Sequence, residues 1–127
     1  MQMGYLAVGI GGIVGAILRF LVSDLLTNHF YNFFPFGTLF VNLTGCFILG
    51  YFLGFARVFP MPNWLVLGFG TGVIGSYTTF STFSNEVIFY FIENKIIAGI
   101  AYILASAIGG IKLVGVGFAL AIAKDGK

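Results

Sequence analysis

Charge is what this sequence has least of. Lys, Arg, Asp and Glu make up 8% of its 127 residues, against about 25% in an average soluble domain. The net charge of +2 is spread along the chain without a basic block, so no part of it offers a nucleic-acid surface. A single cysteine, Cys46, excludes an internal disulfide, and its apolar surroundings read as those of a buried, inert thiol. The one histidine, His29, has no His or Cys companion with which to bind zinc. Met1 to Leu6 lack the basic start of a secretory leader and no A-x-A site follows. The first hydrophobic stretch is therefore expected to stay in the chain. A Ser/His/Asp or Cys/His set is missing, as is a glycine loop ending in Lys-Ser/Thr, so the chain does not read as an enzyme.

What is present is apolar. Hydrophobic residues account for 59% of the chain and the mean hydropathy is +1.05, which places the protein in a lipid bilayer as an all-α membrane protein. Four spans are expected, about 5–22, 38–56, 64–92 and 96–123, in one domain. A loop from Ser23 to Gly37, rich in Phe and Tyr, suits a membrane interface, and a Pro60-Met-Pro62 turn closes the second span. Both termini then lie on one side, with Arg57, Lys124 and Lys127; Arg19 and Lys95 lie on the other. Three against two is too small a bias to set orientation. Dual topology is expected from it, and with it an antiparallel homodimer whose two-fold axis lies in the membrane plane; the alternative is that the tail lysines suffice to hold the termini inside. Gly11 and Gly15, Gly50 and Gly54, Gly68 and Gly72, and Ser106 and Gly110 form small-xxx-small pairs that let helices approach closely.

The third span is longer than the roughly 20 residues a crossing needs, and its middle is GSYTTFSTFS, Gly75 to Ser84. Glycine tolerates non-helical dihedrals, and hydroxyls can take over backbone hydrogen bonds, so this stretch reads as a helix broken at mid-membrane, with the break at Gly75 to Thr78. Such interruptions mark ion or substrate sites. On a helical wheel Thr78, Ser81, Thr82 and Asn85 form a polar stripe with Phe80 and Phe83 opposite. The hydroxyls suit either sign of ion. Phe80 and Phe83 either pack against other helices or present positive ring edges to a small anion. Carbonyls freed by the break could instead bind a hard cation such as Na⁺. Asn42 in the second span is either a helix-helix hydrogen bond or a donor to an anion. Arg19 either snorkels to the interface or adds positive potential to a vestibule. Glu86 is expected to be a salt-bridged or hydrogen-bonded structural acid. Lys112, near the centre of the fourth span, must pair with Glu86 or face a polar cavity.

GAILRF at Gly15 to Phe20, FGTLFVNLTG at Phe36 to Gly45 and GTGVIGSYTTFSTFSNEV at Gly70 to Val87 resemble the Fluc (CrcB) family of fluoride channels, in order and across all four spans. The resemblance implies a fluoride channel assembled as an antiparallel, dual-topology homodimer with two pores and a structural Na⁺ at the dimer interface, in the cell membrane (the inner membrane of a Gram-negative source). It implies that the Gly75 and Thr78 carbonyls hold the Na⁺ and that Phe80 and Phe83 line the pores. It also implies a polar track of Ser81 and Thr82, donation from Asn42 to the ion, and Arg19 at an aqueous vestibule. Ser76, Gly110, Lys112 and Val114 depart from the family pattern and leave the fourth-span side of the pore undefined. The alternative is a small multidrug-type, proton-coupled transporter, which needs a carboxylate in the first span; the expected span has none.

Overall fold

A computed structural model describes the backbone of residues 2–29 and 34–123, and the side chains of these except 27–29. The His29 side chain, and Lys124 and Lys127 with their part in orientation, lie outside what is described. Among those described there is helix and no strand. The order is α1 (Gln2–His29), α2 (Phe36–Val58), α3 (Asn63–Val66), a π-helical stretch (Leu67–Ile74), α4 (Gly75–Tyr77), α5 (Phe80–Ile92) and α6 (Ile96–Ala123). The segments Gln2–Leu26, Phe36–Val58 and Ile96–Ala123 are each long and apolar enough to cross a bilayer unbroken.

The loop expected from Ser23 to Gly37 needs correction at its start. The helix does not end at Val22 but runs to His29, since no proline or glycine interrupts Ser23 to His29. Arg19 therefore lies inside α1, and so does Asp24, exposed near the helix end. Prolines stand ahead of the next two helices. Pro35 precedes α2 and Pro62 precedes α3, positions that cost no internal hydrogen bond. Between α5 and α6, Asn94 takes a positive φ of 56°, a conformation asparagine tolerates better than most residues.

Packing follows the small residues, because lipid supplies no hydrophobic drive between helices and close backbone approach must do the work. The glycine pair of α1 faces the third helical segment: a Cβ on Gly11 would collide with the Gly68 carbonyl, and one on Gly15 with that of Val73. Gly68 and Gly72 reciprocate against Ala7 and Val8. On the other side, α2 packs most extensively on α6. There Gly50 faces the Val114 carbonyl, a Cβ on Gly54 would lie 2.8 Å from the Ala121 methyl, and Gly117 sits against Phe47. This leaves α2 central, wedged between α6 and the segmented third helix, and it delivers Asn42 and Gly45 to the segment's interruption. A smaller core of Val87, Tyr90 and Tyr102 joins α5 to α6.

Candidate functional site

The chain from Asn63 to Ile92 is not one helix. Within the Leu67–Ile74 stretch the turns are wide: the Gly75 N–H reaches the carbonyl of Gly70, five residues back. After the short α4 come two extended residues, Thr78 (φ −78°, ψ 159°) and Thr79 (φ −145°, ψ 123°), and then α5 begins. Gly75 itself is helical (φ −61°, ψ −33°), so the expected break at Gly75 to Thr78 is displaced to the two threonines. Glycine's conformational freedom is not what is used.

What holds the interruption is Asn42. The Thr79 N–H donates to Asn42 Oδ1 at 2.7 Å, and Asn42 Nδ2 donates to the Thr79 carbonyl at 2.9 Å. The side-chain amide thus stands in for a neighbouring peptide group and satisfies both backbone atoms of a residue only 7% exposed. In an unbroken helix that N–H would donate to the carbonyl of Gly75; its diversion to Asn42 leaves that carbonyl without its usual donor. Thr79 also starts the next helix. Its Oγ1 accepts the Thr82 N–H at 3.3 Å as an N-cap, and its hydroxyl donates to Thr82 Oγ1 at 3.1 Å and lies 3.3 Å from that of Ser81. Thr78 belongs to the preceding turn, with its N–H and hydroxyl both donating to the Ile74 carbonyl at 3.0 and 3.1 Å.

The expected four-residue stripe is accordingly cut. Ser81, Thr82 and Asn85 share the exposed side of α5, but Thr78 is detached from it by the change in backbone direction. Close approach of α2 depends on Gly45, where a Cβ would collide with the Thr78 methyl and lie 3.3 Å from the Tyr77 ring. Beside it Thr44 Oγ1 is 3.0 Å from the Tyr77 hydroxyl. The result is a groove of about 260 Å³ between α2 and the interruption, lined by Asn42, Cys46, Gly75, Thr78, Thr79 and Phe80 among others.

Of the residues singled out in sequence, Asn42, Gly75, Thr78 and Phe80 meet at this groove, while Ser81, Thr82, Phe83 and Arg19 do not line it. Phe80 is 79% exposed. Phe83 is half-buried, with its ring 5.9 Å from that of Phe80 and 5.1 Å from that of Tyr102. Arg19 is half-buried on α1. Glu86 is a hydrogen-bonded acid: Thr38 Oγ1 and Tyr102 Oη donate to its two oxygens, each at 2.7 Å. It makes no ion pair with Lys112, which lies on the exposed side of α6. Thr79, Thr38, Gly45 and Tyr102 were not singled out, although Thr79 lies inside the Gly75 to Ser84 stretch. Their partners are 16 to 48 residues away in sequence, and no local pattern announces them. His, Cys, Asp and Glu do not cluster into a metal site among the described residues.

The profile of the CrcB-like protein family, described as Camphor Resistance (CrcB), matches residues 6–118. The chain belongs to the CrcB family. It is 42% identical over 116 residues to a Moorella thermoacetica protein named fluoride-specific ion channel FluC 2, covering 91% of this chain and 94% of that one. It is 43% identical over 114 residues to a Nautilia profundicola fluoride-specific ion channel FluC, covering 89% of each. It is also 38% identical over 117 residues to a Bacillus cereus FluC 1, covering 91% of this chain and 81% of that one. With such relatives and its long apolar helices, this CrcB protein is a multi-pass membrane protein and not an enzyme.

Proposed function

We propose that this CrcB protein is a fluoride-selective channel that lets F⁻ leave the cell passively. The observation that carries the reading is the interrupted third helix with Asn42 clamped on it, in a chain whose relatives bear the name fluoride-specific ion channel. Irregular backbone is tolerated at membrane depth only where protein or water covers it. In this reading the Thr78-Thr79 interruption sits at mid-membrane and faces a protein-lined path. Fluoride is small and strongly hydrated, so a selective path must replace water with close donors. Only one of the two Asn42 N–H bonds is used by Thr79, and Ser81 and Thr82 add hydroxyls beside the aromatic edges of Phe80 and Phe83. Arg19 raises the potential for anions at a vestibule. A negative-inside potential drives the anion outward, by about 2.3 kcal/mol per 100 mV.

The assembly in this reading is an antiparallel, dual-topology homodimer. A monomer that leaves Phe80 exposed, with the groove open at its side, has an incomplete path, and a second copy completes it. A structural Na⁺ at the interface fits the donor set. The carbonyls of Gly75 and Thr78 are hard oxygen donors, that of Gly75 has lost its usual partner, and a two-fold axis doubles the pair. Bound there, the ion supplies charge neutralisation to the oxygens and fastens the two copies together.

The test is F⁻ efflux from liposomes containing the purified protein. Rapid electrogenic release that requires a K⁺ ionophore for charge balance is the expected result. Proton-coupled exchange of an organic cation would assign the protein to the transporter class instead, with Asp24 of α1 as its carboxylate, and silence toward both would leave only a structural role.

A further inference from the structure

Phe80 and Phe83 are carried by the same helix but held in different ways. Phe80 is 79% exposed, with the Phe83 ring 5.9 Å away. Phe83 packs into the small core, with its ring 5.1 Å from that of Tyr102. Tyr102 is completely buried, and two more rings, Phe34 at 5.4 Å and Tyr90 at 6.3 Å, enclose it. A caged ring can still slide along its own axis unless its hydroxyl is tied. Here Tyr102 Oη donates to Glu86 Oε2 at 2.7 Å, and the other oxygen of the same carboxyl receives the Thr38 hydroxyl at 2.7 Å. Glu86 follows Phe83 by three residues on α5, so the two side chains lie on neighbouring parts of one helix surface. One carboxyl group thereby links α2, α5 and α6 at the foot of the Phe83 ring.

We propose that Glu86 is a positioning residue for Phe83, acting through Tyr102, and that this linkage fixes one of the two rings of the anion path within a single copy of the chain. Its consequence for ion passage rests on the channel reading above; its consequence for the position of the ring does not. The chemistry asks only for a planar group with two hydrogen-bonding atoms. Gln fits that requirement, because its carbonyl accepts one hydroxyl and its NH₂ donates to the oxygen of the other. Ala leaves the Tyr102 hydroxyl buried and unpaired, and Tyr102→Phe releases the ring from the carboxyl without emptying the cage.

Two measurements test this. With 4-fluorophenylalanine at position 83, the ¹⁹F resonance should shift or broaden in Glu86→Ala and Tyr102→Phe, and should stay in place in Glu86→Gln. An unmoved resonance in Tyr102→Phe would overturn the proposal even if Glu86→Ala failed to fold. In liposomes, Glu86→Ala should lose about tenfold in F⁻ flux and admit more Cl⁻, while Glu86→Gln keeps flux within about threefold. Adding Glu86→Ala to Phe83→Ile should cost nothing further, because the ring it positions is already gone. Additive losses, or a Glu86→Gln protein as deficient as Glu86→Ala, would show that the carboxyl acts by its own charge and would overturn positioning. A wild-type protein that passes no F⁻ would sink the channel reading alone, since the resonance still reports on the ring.

Discussion

Removing the Asn42 amide should undo the interruption of the third helix. In Asn42→Ala the Thr79 N–H and carbonyl lose their partners at 2.7 and 2.9 Å at a residue that is 7% exposed. An orphaned buried backbone group costs about 1–3 kcal/mol, so two cost about 2–6 kcal/mol, a large part of the roughly 5–15 kcal/mol that holds a typical protein together. One escape lowers that cost. The chain can rewind so that the Thr79 N–H returns to the Gly75 carbonyl, recovering a helical hydrogen bond and abolishing the extended pair. Either way the groove changes shape. We expect Asn42→Ala to lower the thermal unfolding midpoint in detergent and to reduce liposome F⁻ efflux at least tenfold. Asn42→Asp separates the two hydrogen bonds: it keeps an acceptor for the Thr79 N–H but sets a carboxylate against the Thr79 carbonyl and into the proposed path. It should assemble normally and conduct poorly. Wild-type melting and wild-type efflux in Asn42→Ala would refute both the clamp and its place on the path.

Further outcomes follow from the same geometry. Phe80→Ile should cut F⁻ flux with a smaller fall in melting midpoint than Phe83→Ile, which should lower both because Phe83 also packs on Tyr102 within the chain. Thr79→Val removes the N-cap of α5 and should cost about 1 kcal/mol in a reversible unfolding assay, with Thr79→Ser restoring it. Gly50→Val sets a branched side chain against the Val114 carbonyl and should cost at least the 1–3 kcal/mol typical of overpacking, visible as loss of a monodisperse peak in size-exclusion chromatography. Lys95→Ala, which removes the surface ion pair with Glu93, should move the midpoint little.

Much of this protein is written in its composition and in one string of letters. A chain with so few charges and so many apolar residues can satisfy its backbone in lipid only by folding into helices, which needs no knowledge of tertiary contacts. The TTFSTFS string and its flanks carry the family, and an amide such as Asn42 among apolar neighbours marks itself as unusual wherever the chain folds. The glycine pairs likewise announce close helix approach, although not which helix approaches which. Sequence could not say where the third helix gives way. Gly75 is the residue most tolerant of a break, but a break forms where its freed backbone groups find partners, and those partners sit on α2, 37 residues from Thr79. The same holds for Glu86, whose neighbours in sequence give no hint that Thr38 and Tyr102 would claim both its oxygens. Local chemistry limits what each segment can become; hydrogen bonds between distant segments choose among the possibilities, because only packing brings a donor and an acceptor within 3 Å of each other.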